Sequence, residues 1–317
     1  HPTTITLLDA RGRAYQPVEE TITSMTFSNL AELYLEGVRN KVPPLKRPDD
    51  IEQRLQTICR HIGNVPLEKL DFHAIEHYVQ ARYKEGKDRC KKRPGKLAYS
   101  TIKREVARIR SCMNWGAKHG HLEKSSIPDF PTKDLPESPP RNRTCTPIEY
   151  MKLLQYTADP TDQAYNPNLR AMIIIAYNTG MRRGEIVGLS WEQIDFKKNF
   201  IRLGAEDTKT SEGRSIPMNG PVRHCLEGMY GKKRKTQWVF EREGERLIDF
   251  PRRAWKHARW AIDAEDMHFH DLRHTFVTNN RGKYHDHVLM AITGHKTDAT
   301  FRRYSHVTEA DLQAAVA

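Results

Sequence analysis

The stretch HDLRHTFVTNNRGKYHDHVLMAITGHKTDATFRRY, residues 270–304, carries four chemically distinctive side chains in an ordered series. His270 and Arg273 form a His-x-x-Arg step, Gly294 and His295 a Gly-His pair, and Thr300 precedes Tyr304, which lies nine residues after His295. Taken singly, Tyr304 is a half-buried aromatic at a helix end and His295 a satisfied core histidine. Three spaced elements in fixed order are far more specific than any one of them, and they point to a built site.

This order resembles the carboxyl-terminal signature of the tyrosine recombinases, the family of phage-type integrases. Chemistry of that kind sets clear demands. Cutting and rejoining DNA without an external energy source needs a nucleophile that keeps the phosphoester bond energy in a covalent intermediate. A tyrosine hydroxyl can do so, but with a free pKa of about 10 it needs cations or a base to favour the phenolate. Charge also accumulates on the non-bridging oxygens of the phosphate, and arginine forks fit those oxygens as a preorganised clamp. The resemblance therefore implies Tyr304 as nucleophile, with Arg273, His270 and His295 holding the phosphate.

A second arginine is expected from TGMRRGEI, residues 179–186. It resembles the family's Thr-Gly-x-Arg-x-x-Glu, which makes Arg182 the catalytic arginine and Glu185 its structural partner. Arg183 is adjacent, so the assignment rests on spacing from Gly180. FIRLGAEDTKTSEGRSIPM, residues 200–218, reads as a β-hairpin, with alternating apolar residues around a polar turn. The family carries its general acid on such a hairpin, which by resemblance is Lys209; Lys197, Lys198 and Arg214 offer other cations nearby. His270 and His274 stand four apart, as zinc ligands can, but Asp271 replaces the Glu of the metalloprotease motif and no third ligand is evident. No metal or nucleotide cofactor is expected.

Working outward, 317 residues suggest two domains. A net charge of +12 and a pI near 9.4 ask for a polyanionic partner, of which nucleic acid is the simplest. The longest apolar run, residues 171–177, is far too short to span a membrane, so no membrane partner is expected. Five scattered cysteines without a Cys-x-x-Cys pair suit reduced thiols in a cytoplasmic protein.

Residues 1–25 read as a loosely ordered lead, too short to be the complete arm-site-binding domain that many integrases carry. Residues 26–120 show four amphipathic patterns: Phe27, Leu30, Tyr34, Val38; Ile51, Leu55, Ile58, Ile62; Ile75, Tyr78, Val79, Arg82; and Ile102, Val106, Ile109, Met113. They predict a small helical bundle. Its cations, Lys91, Lys92 and Arg93 before the fourth pattern and Lys103, Arg104, Arg108 and Arg110 on it, are candidate phosphate contacts as a group. Residues 121–144 are proline-rich and read as a linker.

Residues 145–317 read as the catalytic domain. Thr146, Pro147 and Glu149 predict a capped helix start, residues 169–177 a buried helix, residues 250–262 another helix, and residues 309–317 a short tail helix expected to pack on a neighbouring protomer. The expected fold is mainly α with a small antiparallel β-sheet: a helical core-binding domain and a mixed α/β catalytic domain of the DNA breaking-rejoining type. The resemblance further implies double-stranded DNA attachment sites as partner, a homotetramer on synapsed DNA that is monomeric free in solution, and host DNA-bending proteins as helpers. Two rival readings stand beside it. A type IB topoisomerase shares the chemistry, and a DNA-binding regulator could carry an inactive site.

Overall fold

The computed structural model describes residues 24–42, 48–88, 97–132, 135–136, 141–163, 165–208, 212–231, 236–298 and 301. The chain divides into two compact units at Pro139/Pro140. It is mostly helical with small antiparallel sheets, the class its sequence implies.

The first unit packs four helices, α1 (Phe27–Arg39), α2 (Pro48–Ile62), α3 (Phe72–Asp88) and α4 (Tyr99–Lys118). Thr26 caps α1 reciprocally with Asn29, satisfying backbone N–H groups that the first turn leaves orphaned. The apolar faces expected from the periodicity form one core, and Leu122, Ile127, Phe130 and Leu135 join it from beyond α4. Arg82 falls on the buried face of α3 and is only 5 % exposed. A buried cation needs a partner, and α4 supplies it in Glu105. Arg82 Nε and Nη2 donate to the two Glu105 oxygens at 2.9 and 2.8 Å, and the Tyr78 hydroxyl donates to Oε2 at 2.9 Å. Burial and the Glu105 charge push the Tyr78 hydroxyl far above its ordinary pKa, so it stays a donor.

The second unit is built around α6 (Leu169–Thr179), whose Leu169, Met172, Ile173 and Ile175 are fully buried. A helix buried over most of its surface, with Arg170 as its exposed residue, is a core element. Against it pack α8 (Gly220–Tyr230) and α10 (Asp271–Asn280). Ahead of α6, α5 (Pro147–Tyr156) starts with the expected Thr146–Glu149 capping box and Pro147 at its first position. After α6 come the single-turn α7 (Arg183–Val187) and a three-stranded antiparallel sheet, β1 (Ile194–Asp195), β2 (Phe200–Leu203) and β3 (Arg214–Pro217), in that order. Its register pairs Ile201 with Ile216 and Leu203 with Arg214. A second hairpin, β4 (Glu241–Arg242) and β5 (Glu245–Arg246), leads to α9 (Arg252–Trp260).

The helix expected over residues 250–262 is thus shorter at both ends. Pro251 forms its N-cap, and Asp263 adopts a left-handed φ of 55° just beyond it. Phe250 and Ile262 are buried without being helical. Further on, α11 (Asp286–Thr293) packs on β3. Among the described residues no helix is long and apolar enough to cross a membrane.

Arg82 also pairs with Glu85 one turn along α3, so Glu105→Ala leaves its charge partly compensated and two buried donors without an acceptor, and should cost the first unit ~1–3 kcal/mol of stability. Urea unfolding followed by circular dichroism measures this, and an unshifted midpoint would show that the pair contributes nothing.

Candidate active site

The site forms where α6, α10 and α11 end or begin together in the second unit. Gly180 closes α6 in the left-handed region at φ +64°, and a Cβ there would lie 2.7 Å from the Phe276 ring of α10. Both conformation and space demand glycine. The turn it makes delivers Arg182 to the N-cap of α7. Gly294 does the same for α11 at φ +74°, and a Cβ there would come within 3.0 and 3.1 Å of Nη1 of Arg214 and Arg182.

The C-terminus of α11 leaves carbonyls without intrahelical partners, and the helix dipole makes that end negative. Three arginines take them in succession. Arg214 Nε donates to Ile292 O at 2.9 Å, Arg273 Nη1 to Thr293 O at 2.6 Å, and Arg182 Nη2 to Gly294 O at 2.5 Å. Arg273 Nη1 also donates to Gly180 O at 2.8 Å, so one guanidinium ties the ends of α6 and α11 together. Arg273 is 1 % exposed. Arg182 is the open one: beyond its bonds to Gly294 O and Glu185, its remaining N–H groups have no partner among the described residues.

Arg273 Nη2 faces His295 Nε2 at 2.9 Å, and His295 Nδ1 lies 2.7 Å from Thr293 Oγ1. The Thr293 hydroxyl donates to Leu289 O at 2.6 Å, so its oxygen accepts from Nδ1–H. This assigns the ring proton to Nδ1 and the Nε2 lone pair to the arginine. Burial first, and then the Arg273 charge, push His295 down to about 3. His270, the N-cap of α10, is exposed, and its ring meets that of His274 edge-on at 5.6 Å. Desolvation, Arg273 and neighbouring His274 lower it to about 4. Both imidazoles are neutral at pH 7, hydrogen-bonding groups set beside fixed positive charge.

Glu185 is buried among these cations. It accepts from Arg182 N and Nη1 at 2.7 and 2.9 Å and from the Arg214 fork at 3.0 and 2.6 Å. Burial alone would raise its carboxyl, but Arg214 and then Arg182 outweigh that and hold it below the usual range. Arg214 as a built part of the site was missed from sequence, where it figured only as a spare hairpin cation. Its signal is there: β2 buries Ile201 and Leu203, so their partners Ile216 and Arg214 also point inward, and an inward arginine requires a carboxylate.

A strap just before α5 fixes the start of α10. Arg141 Nη2 and His268 N donate to Asp271 Oδ2 at 3.0 and 2.8 Å, and Cys145 N donates to Thr275 Oγ1 at 2.7 Å. On the hairpin, the Thr208 hydroxyl donates to Glu212 O at 3.0 Å and accepts from Glu212 N at 3.1 Å, closing the base of the turn. Lys209, Thr300, Tyr304 and the tail, residues 309–317, lie outside the described residues, as do Lys91, Lys92 and Arg93. Of the cations on α4, Arg104 and Arg110 are exposed. Arg108 is turned partly inward and donates to the Tyr34 hydroxyl at 2.9 Å, while Arg110 stacks over Phe130. Among the described residues no group of three or more His, Cys, Asp or Glu side chains converges as a metal site would.

Residues 143–311 match the phage integrase family. The chain is 27% identical over 218 residues to the shufflon-specific DNA recombinase of Escherichia coli, covering 68% of this chain and 53% of that protein, so it spans about half the length of that relative. Among solved structures, the Tn1549 transposon integrase in complex with circular intermediate DNA is similar with a TM-score of 0.70 at 17% identity, over 93% of this chain and 100% of that one. A lambda integrase tetramer bound to a Holliday junction gives 0.68 at 17% identity, over 93% and 82%. At these identities the two structures speak for the fold.

The lowered histidines have a consequence for pH. Below the ordinary value of 6.5 the unfolded chain binds protons that folded His270 and His295 refuse, so stability is full above that value and is lost as pH falls towards 4. The melting temperature should drop between pH 7 and 5, and drop less in His295→Gln; equal slopes in the two proteins would contradict the assignment.

Proposed function

Since the chain belongs to the phage integrase family of tyrosine recombinases, we propose that it is a site-specific recombinase that cleaves and rejoins DNA through a 3′-phosphotyrosine intermediate on Tyr304, integrating or excising a mobile element. The observation that carries this is the meeting of Arg182, Arg273 and His295, drawn from separate stretches of chain, around the end of α11, with His270 close enough to feel the charges of both arginines.

In this reading the scissile phosphate binds on the open side of Arg182. Its non-bridging oxygens take the unpartnered N–H groups of that guanidinium, with His270, His295 and Arg273 beside them. Positive charge fixed before the substrate arrives stabilises the pentacovalent transition state without reorganisation. The neutral histidines add no charge, and His295 steadies Arg273 through Nε2. Tyr304 Oη loses its proton to water and attacks phosphorus as the bond to the 5′ oxygen breaks; Lys209 gives that oxygen its proton. The released 5′ hydroxyl then attacks the phosphotyrosine of a partner duplex, reversing the step. No metal or nucleotide takes part.

Four active sites are needed to rejoin two duplexes, so the working assembly is a tetramer on synapsed DNA, formed from monomers with the tail of one protomer on the next. Residues 26–120 hold the duplex as a core-binding domain, with residues 121–144 as the connection to the catalytic domain, and host bending proteins shape the synapse. The protein works in the cytoplasm.

Nicked suicide duplexes drawn from candidate attachment sites, incubated with EDTA, should yield a covalent adduct that mass spectrometry locates on Tyr304. Tyr304→Phe should abolish it, and Arg182→Ala should slow it more than a hundredfold, a loss of ~3 kcal/mol or more. Wild-type cleavage by Tyr304→Phe would sink the mechanism, and relaxation of plasmids lacking any site would favour a topoisomerase. Arg104→Ala should weaken DNA binding evenly across sequences and lower the slope of log K against log salt by about one; an unchanged slope removes Arg104 from the phosphate contacts.

A further inference from the structure

We propose that Arg214 is a positioning residue that sets Arg182 for the phosphate through their shared carboxylate, Glu185, and does not itself touch DNA. The inference rests on the reading of Arg182 as a phosphate ligand.

Arg214 and Arg182 look alike in sequence and differ in what the fold leaves them. The Arg214 side chain is 8 % exposed and that of Arg182 is 21 % exposed. Every nitrogen of the Arg214 guanidinium is engaged: Nη1 and Nη2 fork onto the two Glu185 oxygens at 3.0 and 2.6 Å, and Nε closes on Ile292 O at 2.9 Å. A fork held at three points is a rigid template. It fixes the plane of the Glu185 carboxylate between β3, α7 and the end of α11.

Arg182 is held more lightly. It spends one N–H of Nη1 on Glu185 Oε1 and one of Nη2 on Gly294 O. Its backbone N–H also meets Glu185 Oε2, so main chain and side chain are aligned by the same carboxylate. Glu185 can act in this way only while ionised. Its side chain is 3 % exposed, and a buried carboxyl with one cation in place of two tends towards its neutral form. The charged groups bonded to it are Arg182 from α7 and Arg214 from β3. His270 at the start of α10 and His295 after α11 also feel the charge of Arg182, and Arg273 of α10 faces both histidines. With those histidines neutral, Arg214 is what keeps Glu185 charged and oriented without drawing on the N–H groups Arg182 needs for its ligand.

Three variants separate positioning from mere packing. In Arg214→Met, single-turnover adduct formation on the cognate suicide duplex should slow about a hundredfold at pH 7 while DNA affinity changes less than about threefold. The residual rate should gain a new rise with pH as Glu185 ionises, and Arg214→Met/Glu185→Gln should lack that rise. Arg214→Lys keeps the charge and loses the fork, so it should show a smaller loss, about tenfold, and no new pH step. Carbon-13 titration of the Glu185 carboxyl in the wild-type protein gives an independent reading: it should titrate below the ordinary glutamate range. Cleavage by Arg214→Met at the wild-type rate would overturn the inference, as would a loss equal at every pH and matched by lost DNA affinity. An ordinary Glu185 titration in the wild type would overturn it even if Arg214→Met fails to fold. If the wild type forms no adduct, the proposed function falls, and the Glu185 titration still decides the role of Arg214.

Discussion

Three consecutive backbone carbonyls, those of Ile292, Thr293 and Gly294, each accept a hydrogen bond from a different arginine. Guanidinium groups repel one another in a low-dielectric interior, and gathering three of them needs negative charge on the inner side. The end of α11 provides it twice over, through carbonyls that lack intrahelical partners and through the dipole of the whole helix. Glu185 supplies a full negative charge bonded to two of the three. Gly294 makes the gathering sterically feasible, because its missing Cβ is what lets Arg182 and Arg214 close over the same turn. The histidines follow from this arrangement: beside so much fixed positive charge, they are held neutral.

Each unit solves the problem of a buried arginine with a shared carboxylate, to different ends. In the first unit Glu105 takes Arg82 and the Tyr78 hydroxyl, and the pair lies deep between α3 and α4. That ion pair is buried and links two helices, and the remaining guanidinium nitrogen of Arg82 is taken by Glu85. In the second unit Glu185 takes two arginines, one of them with donors to spare. The same chemistry is structural where each guanidinium nitrogen meets a carboxylate, and becomes available for binding where one arginine keeps donors to spare.

Much of this was legible in the sequence. The helix cores of the first unit followed from period-3.6 apolar faces, and the start of α5 from Thr146, Pro147 and Glu149, because both signals are local. Arg182, Arg273, His270 and His295 could be picked out because spacing carries them. Arg214 could not be ranked above Lys197 or Lys198 from the hairpin alone. What distinguishes it is the β2–β3 register, a pairing between strands that places it inward opposite Leu203. The strap formed by Arg141 and Cys145 was hidden in the same way: its partners Asp271 and Thr275 lie about 130 residues downstream. Its sequence, rich in proline nearby, reads only as a connection.

The use of main-chain atoms at the end of α11 sets how this stretch can change over time. Any residue at position 292 offers the same carbonyl, so side-chain exchange there is filtered only by packing. Adding or deleting a single residue in α11 is another matter. It would rotate the helix end by about 100° and hand each arginine the wrong acceptor or none. Substitution and length variation are therefore decoupled at this point: the segment can drift in composition while its reading frame of backbone acceptors stays invariant.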